Sequence, residues 1–550
     1  MQDDLLATLA QPHYDLVVVG GGVTGAFCAW DAALRGLKVC LLEAADFGGA
    51  TSANSLKTIH GGFRYLATAD LARTREAILE RSAWLRIAPH LVRPLPCLIA
   101  TRGRGARSRS AFRAALATYN LLGRRRNHGL APELHIPASR LVDRDECVRL
   151  FSGFDRPGIT GGVMWYDAQA IDSERLVLEV VLAAQAAGAV TVNYAQVTGV
   201  VQDDGRVSGV QVRDAIDGHE HLFQAEVVIN AAGPWAEGLA HPDQEPLAQA
   251  LGMNLVIRRR LVETAVGVET SGPGASDPLF GQRRYLFIAP WEDYSLLGTS
   301  YTVHDPAGGP PQVTAESITA LLQEFQQACP QWELDPREVS FFHYGLLPLD
   351  RPEHPGGLAE KHAVIDHARQ GGPPGLITLR SVKYTTGRAL AARAVDAALS
   401  RLDRPAAACR TAATLLPGGE LDRLPQDPPQ DLPPGVWTRL VRRYGARAAA
   451  VAGLCAQWPL GAEPLTDQTE VLGAEVLFAA RFEMARKLSD VVLRRTGMGS
   501  AAQPPLRVLE TAAAIMGIEH GWDRERYEQE VAETQAVYAP LKPWNDPGHE

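Results

Sequence analysis

The sequence predicts an α/β protein whose first domain opens on a strand–turn–helix unit, with an antiparallel-sheet domain inserted into it and an all-helical domain after it. Three observations predict this architecture. An apolar strand runs into a glycine-rich turn and then a helix within the first stretch of chain. Strand-like segments with few helices fill 190–345, and beyond a proline-rich stretch at 417–434 the apolar spacing is helical.

The opening element, Tyr14–Val19 (YDLVVV), is short and apolar, as a buried strand requires. It enters Gly20-Gly21-Gly22-Val23-Thr24-Gly25, and an alanine-rich helix follows to Arg35. Gly20 permits the turn, Gly22 lets the backbone approach a pyrophosphate, and Gly25 lets helix and strand pack closely. The helix N-terminus offers free N–H groups and a positive dipole end to the phosphates. A second strand, Lys38–Leu42, ends at Glu43, eighteen residues past Gly25, where a carboxylate can accept both ribose hydroxyls of the adenosine half. A glycine turn alone also serves as a plain structural turn. The strand before it, the helix after it and the acid at this distance favour a Rossmann-like site. The motif does not by itself separate FAD from NAD.

A helical stretch at Leu71–Ile87 follows, broken by Pro89, Pro94 and Pro96. Residues 102–126 carry eight arginines (102, 104, 107, 109, 113, 124, 125 and 126) interleaved with Phe112, Leu116, Tyr119, Leu121 and Leu122. Such a basic amphipathic segment rests on an anionic bilayer, meets another subunit, or is a solvated surface helix, and the sequence leaves the three open. Gly161–Asp167 leads to a helix near Ser173–Ala187 and a strand at Val190–Tyr194. Glu226–Asn230 is another buried strand, ending in Ala231-Ala232-Gly233-Pro234-Trp235. Between 250 and 345 the pattern is of strands, Tyr285–Pro290 and Ser295–Gly298 among them, with one helix near Glu316–Ala328. After Leu376–Leu379 an alanine-rich helix reaches about Leu402. The stretch 417–434 reads as a linker, and Val436–Gln457, Glu470–Arg495 and Leu506–Met516 as helices. The expected division is 12–88, 155–240 and 345–405 for the nucleotide domain, 89–154 and 241–344 for the substrate or cap domain, and 435–550 for the helical domain.

Bulk properties exclude several classes. A chain of 550 residues exceeds one ordinary core, and 46% hydrophobic with 21% charged residues is the balance of a soluble globular protein. A net charge of −9 argues against a nucleic-acid binder. Seven scattered cysteines without C-x-x-C spacing predict reduced thiols in a cytoplasmic setting and no zinc site, with Cys28 and Cys40 as core residues. No run of eighteen apolar residues exists, so no spanning helix is expected, and Met1–His13 lacks the pattern of a secretory signal.

Longer motifs carry a resemblance. GGGVTG (20–25), LLEAADFGGATSANSLKTIHGGFRYL (41–66), WYDAQAIDSERLVL (165–178), NAAGPW (230–235), PWEDYSLLGTS (290–300), VKYTTGRALA (382–391), RRYG (442–445) and LSDVVLRRTGMG (488–499) resemble the flavin-dependent glycerol-3-phosphate dehydrogenases, within the glycine-oxidase/D-amino-acid-oxidase-like superfamily. The resemblance covers nearly the whole chain, and the block around IHGGFRYL is its most specific part. It implies a Rossmann-like FAD-binding domain holding FAD non-covalently. Gly20, Gly22, Gly25 and Glu43 then hold the ADP half. Thr51, Ser52 and Lys57 lie in the loop along pyrophosphate and flavin, backbone at Val197 meets the adenine side, Gly233 closes over the dinucleotide, and Thr385 belongs to the same cofactor set.

The implied chemistry is oxidation of a secondary alcohol, with hydride passing to flavin N5 while a base takes the hydroxyl proton. His60 matches the family histidine near N5, and histidine is the side chain that exchanges protons near neutral pH; otherwise it orders the Gly61-Gly62 turn. Arg64 and Lys383 match two cations that hold the substrate phosphate, against the alternative of surface ion pairs. Tyr65 lines the pocket or packs in the core. The implied partners are a phosphate- or phosphonate-bearing substrate and a quinone or dioxygen as electron acceptor. A homodimer stays open, as does a peripheral position on the inner face of the membrane.

Two departures stand against this pattern. Gly345-Leu346-Leu347-Pro348-Leu349 puts Leu347 where the family commonly has an arginine beside the flavin, and losing such a donor costs on the order of 10²–10³ in rate. Arg258-Arg259-Arg260 stands where a glycine-serine-histidine run is frequent, and Arg351 is either a compensating charge or a surface arginine. A different small alcohol or amine as substrate is therefore the competing enzyme reading, and a flavin-bound scaffold or sensor the non-enzymatic one. No second G-x-G-x-x-G in a strand–helix context supports a pyridine nucleotide.

Overall fold

The computed structural model describes residues 3–545 apart from 104, 106, 246, 271–284, 350–356, 406, 426–428, 430–431 and 459–460. Arg104 and Arg351 lie outside the described residues. Strand Tyr14–Val19 is central in the first sheet, with Glu220–Asn230 on one side and Val39–Leu42 on the other, both parallel to it. Leu376–Arg380 and Val190–Val192 extend the parallel order, and Ala363–Asp366 closes one edge antiparallel. Central parallel strands are apolar on both faces because both are covered. On one face Leu16, Val18 and Leu41 pack with Phe27 and Trp30 of helix Val23–Leu34, Leu176 and Val180 of helix Ser173–Ala186, and Leu390 and Val395 of helix Gly387–Arg401. On the other, Val17, Val19 and Val228 meet Val210, Val212 and Phe223 of the antiparallel extension formed by Ala195–Asp203, Arg206–Asp214 and Glu220–Asn230.

The second sheet runs in the order Val339–Pro348, Gln249–Ile257, Tyr294–His304, Tyr285–Trp291, Ala265–Glu269, Val92–Arg102, Ile159–Ala170, Thr58–Ile59, and a ninth strand, Arg140–Val142, also pairs with Ile159–Ala170. All its pairings are antiparallel except Ala265–Glu269 with Val92–Arg102. Helix Ala315–Ala328 covers one face, burying Ile318, Leu321 and Phe325 against Met253, Leu255 and Phe342. The sheet curls: Leu56, just before the edge strand Thr58–Ile59, lies against Gly298, in the third strand from the opposite edge. Ile159–Ala170 belongs to this sheet, whereas the expected division gave 155–240 to the nucleotide domain. Its partner over the whole of its length is Val92–Arg102, a pairing across some sixty residues that no local pattern announces.

The C-terminal part is helical: Pro434–Tyr444, Ala448–Gln457, Gly473–Phe482, Leu488–Asp490 running on to Arg495 with wider π turns, Leu506–His520 and Arg524–Ala536. Two continuous helices of the expectation are broken. Gly445 takes φ +55 between the first two, and Met484 takes φ +57 after Phe482, left-handed values that no helix continues through. The start of the expected linker is bound down. Leu416 N–H donates to the Ile87 carbonyl (2.9 Å) and Gly418 N–H to Glu179 (2.9 Å). Among the described residues no helix is long and apolar enough to cross a membrane.

Candidate active site

The glycine turn is built as its spacing demands. Gly20 has φ +99, and a Cβ there would lie 2.7 Å from the Ala231 carbonyl oxygen of the neighbouring parallel strand's end. A Cβ on Gly25 would collide with the Gly20 carbonyl, so helix Val23–Leu34 sits this close to its strand only with glycine at 25. Gly22 is the N-cap and has no side chain to cap the helix; Ser52 Oγ accepts from Val23 N–H (3.0 Å), leaving the other first-turn N–H groups to a phosphate. Glu43 accepts from Gly21 N–H (2.6 Å) and Ala45 N–H (2.9 Å), one on each oxygen, and each oxygen keeps a lone pair for a ribose hydroxyl. Ala195 N–H donates to the Glu43 carbonyl (2.8 Å), so Val197 lies two residues beyond the ribose end of the turn. Gly233, at φ +56 with open space where a Cβ would stand, follows the strand whose next residue, Ala231, donates to the Val19 carbonyl. These residues fit the ADP half of FAD.

The loop from Thr51 to Tyr65 then crosses to the second sheet. Thr51 donates to the Leu346 carbonyl (2.9 Å), and a Cβ on Gly345 would press within 3.0 Å of Thr51, so this strand runs against the loop. Lys57 requires a correction. Its ammonium is turned inward, fully buried, bonded to Glu174 (2.7 and 2.9 Å) and Ser173 (3.2 Å) and lying 4.9 Å over the Trp291 ring. A buried ammonium must be paired, and once paired it cannot also serve a phosphate. Its role is to fix the loop.

His60 holds the site together. Its N–H donates to Thr385 Oγ1 (3.0 Å), which joins the loop to the start of helix Gly387–Arg401, and the Thr385 carbonyl accepts from Trp84 Nε1 (3.3 Å). The His60 ring, half exposed, puts Nδ1 2.9 Å from Asp167 Oδ2, and the other Asp167 oxygen accepts from Gly61 N–H (2.7 Å). Burial alone would raise the Asp167 carboxyl; its bond to His60, the charges of His60 and Arg81, and the Gly61 N–H outweigh burial and hold it below its ordinary range. Beneath this pair Arg81, fully buried, donates to Tyr119 Oη (3.1 Å) and the Tyr166 carbonyl, while Tyr119 donates to the Gly61 carbonyl (2.9 Å). A Cβ at Gly61 would collide with both Arg81 and Tyr119, which explains the first of the paired glycines.

Beside His60 is a cluster of cations. Tyr65 is buried, with Lys383 in contact with its hydroxyl and 4.3 Å from its ring, Arg73 4.3 Å and Arg64 5.5 Å from the same ring. Arg64 is exposed and has no acidic partner among the described residues. Burial, and next the Arg64 charge, drop the Lys383 ammonium to about 7. Lys383 and Tyr65 line a cleft of about 220 Å³ with Arg73, Lys361, His362, Thr386 and two acids, Glu360, paired with Arg73 (3.1 Å), and Glu76, paired with Arg393 (3.1 Å). His60, Arg64, Tyr65, Lys383 and Thr385 are thus brought together. Asp167, Arg73 and Lys361 went unread in the sequence; the one available signal was an acid in the otherwise apolar run VMWYDA.

The departures have structural counterparts. Leu347 packs with Ala248, Ala250, Tyr301, Leu349 and Leu358. Arg259 and Arg260 pair with Glu338 (2.8 Å) and Glu263 (2.8 Å) on the surface.

Known proteins resemble this chain in sequence and in fold. Residues 15–395 match the model of the family described as FAD dependent oxidoreductase, and residues 409–527 match the C-terminal domain of alpha-glycerophosphate oxidase. The chain is 31% identical over 540 residues to a glycerol-3-phosphate dehydrogenase of Synechocystis sp., covering 94% of this chain and 95% of that one. A glycerol-3-phosphate dehydrogenase of Mycobacterium leprae is also 31% identical, over 94% of this chain and 87% of its own. Among solved structures, the glycerol-3-phosphate dehydrogenase from Bacillus halodurans complexed with FAD superposes with a TM-score of 0.75 at 24% identity, covering 100% of this chain and 98% of that one.

Proposed function

The chain belongs to the FAD-dependent oxidoreductases that carry the alpha-glycerophosphate oxidase C-terminal domain, and on that premise we propose that it oxidises the secondary alcohol of glycerol 3-phosphate or a close phosphate- or phosphonate-bearing analogue. The observation that carries this reading is the Asp167–His60 pair standing beside the cations around Tyr65. FAD, when bound, supplies the acceptor for the hydride leaving the carbinol carbon. His60 takes the hydroxyl proton, since Asp167 occupies Nδ1 and leaves Nε2 for substrate. Lys383 and Arg64 grip the anionic end, and binding energy gained there positions the alcohol against His60. The buried Arg81–Tyr119–Gly61 contacts keep the loop from shifting as the proton moves.

The electron acceptor in this reading is a membrane quinone or dioxygen. Arg113, Arg124 and Arg125 have no acidic partner among the described residues, and Leu121 stands 54% exposed among them. These features favour peripheral contact with an anionic bilayer through helix Arg109–Leu122 and its arginine tail. A second reading, oxidation of another small alcohol or amine, draws on Leu347 and its apolar neighbours.

Anaerobic mixing of the FAD-loaded protein with glycerol 3-phosphate and with unphosphorylated glycerol tests the proposal. Bleaching of the flavin band by the phosphate ester at far lower concentration is the expected result. Equal response to both, or to neither, would remove it.

A further inference from the structure

Against the Thr51 loop the second sheet presents a largely apolar face, and its composition bears on the substrate. Directly opposed residues of antiparallel strands share a face. Leu347, Ala250 and Val303 therefore form one row across three strands, and Gly345, Gly252 and Tyr301 the next. The face is turned toward the cofactor loop, because Gly345 lies against Thr51. A Cβ on Gly252 would meet the Tyr301 ring at 3.3 Å and the Leu347 side chain at 3.4 Å, so these two side chains flank the hollow the glycine leaves. None of the six residues carries a charge.

This apolar cluster abuts the cleft that holds Lys383 and Tyr65. Ala359 N–H donates to the Pro348 carbonyl (2.9 Å), Leu358 and Leu347 pack on the same Ala250–Leu349 cluster, and the next residues, Glu360 and Lys361, line the cleft with Lys383. In the other direction the strip reaches solvent through Val303, 46% exposed, and Leu247, 42% exposed. Trp235, 59% exposed, stands beside it, its loop held to the strand by Gln249 donating to the Pro234 carbonyl. An anion-binding end thus continues into an apolar path that leads outward.

We infer that the substrate is a 2-hydroxyalkyl phosphate, with an alkyl group along Leu347 where glycerol 3-phosphate has its hydroxymethyl. The inference rests on the proposed alcohol oxidation. The reaction balances in the same way: the carbinol carbon loses a hydride to FAD, His60 takes the hydroxyl proton, and a 2-oxoalkyl phosphate leaves. A hydroxymethyl laid on the Leu347 side chain would give up water against an aliphatic surface, whereas each methylene laid there gains by leaving water.

The test uses the FAD-loaded protein and a series of alkyl phosphates from ethyl to hexyl, which carry no oxidisable alcohol. Their dissociation constants are read from perturbation of the flavin spectrum. Binding is expected to tighten by roughly fourfold per added methylene over the first few carbons. Leu347→Gln, close in volume, and Leu347→Arg should both flatten that series. In anaerobic reduction, 2-hydroxyhexyl phosphate should exceed glycerol 3-phosphate in kcat/KM by about tenfold or more. Phosphate esters that bind without chain-length dependence, or a preference for glycerol 3-phosphate, would overturn the inference and leave the proposed function standing. Esters that neither bind nor bleach the flavin would overturn both. A water-soluble quinone whose binding alone is weakened by Leu347→Arg would assign the strip to the electron acceptor, and so against the inference.

Discussion

A carboxylate bonded to one nitrogen of an imidazole decides which nitrogen is left to act, and at the residue scale Asp167 does this for His60. Removing the base should cost more than removing its orienter. His60→Ala is expected to slow flavin reduction by about 10²–10⁴, the span general-base catalysis contributes, with little change in the substrate concentration needed. Asp167→Asn should slow it less, because an amide still bonds Nδ1 but no longer fixes which ring nitrogen carries the proton; stopped-flow absorbance separates the two, and two variants at the wild-type rate would end the assignment. Lys383 supplies a second expectation. Its ammonium, lowered to about 7, is present below that pH and lost as pH rises through it, so anion binding weakens above neutrality. KM for the phosphate ester should therefore climb as pH rises from about 7, with kcat much less affected. Lys383→Arg, charged throughout, should abolish the climb if it seats the anion. His60, Arg64, Tyr65 and Lys383 were legible because the motifs containing them are local and specific. Asp167 was not, since it meets His60 across 107 positions and nothing near either residue marks the other.

At the scale of elements, the helical domain is locked to the nucleotide domain by buried ion pairs. Arg175, fully buried in helix Ser173–Ala186, bonds Glu483 through both guanidinium ends (2.7 and 3.0 Å) and donates to the Arg443 carbonyl (3.1 Å). Arg495 likewise grips Asp46 of the nucleotide loop (2.6 and 2.7 Å). Burial would raise the Glu483 carboxyl, yet the Arg175 and Arg447 charges hold it down to about 2. Because the folded value lies below the ordinary glutamate value of roughly 4.3, this stabilisation is complete above that pH and fades as pH falls toward about 2. Glu483→Gln leaves Arg175 charged and underpaired, and about 3–5 kcal/mol of stability should go with it. Thermal unfolding and limited proteolysis between the domains measure this; an unchanged midpoint would show that the pair contributes nothing to docking. The same carboxylate explains a misread element. Leu472, Val476 and Ala479 keep helical spacing with Leu488, Val491 and Val492 and all are buried, so the sequence reads as one helix. The break at Glu483 and Met484 exists to deliver the carboxylate to Arg175, a partner 308 positions away. Helix Arg524–Ala536 went unread for another reason: its sequence is mostly charged and polar, and only Glu530, Val531 and Thr534 are buried.

For the whole molecule, local periodicity revealed the kinds of element but little of their pairing. Tyr14–Val19, the glycine turn and Glu43 could be placed because strand, turn and helix are consecutive. Ile159–Ala170 read as a strand yet could not be assigned to its sheet, because its partner is chosen by the curl of nine strands and not by its neighbours in sequence. The nucleotide turn is also where cofactor binding and stability meet, since FAD touches the folded chain and not the unfolded one. Saturating ligand at a hundred times its dissociation constant adds about 2.7 kcal/mol. Gly25→Ala should abolish that gain, because its Cβ would strike the Gly20 carbonyl and force helix Val23–Leu34 off the strand. The variant is expected to purify colourless and to melt below wild-type protein stripped of FAD, because the displaced helix also loses core packing, with no rise when FAD is added. Gly36→Ala, in the turn after the same helix and with open space around the added atom, carries only the strain of its φ of +84 and should stay yellow and respond to FAD. A yellow Gly25→Ala whose melting point rises with FAD as the wild type's does would mean that the close approach at this turn does not decide cofactor binding.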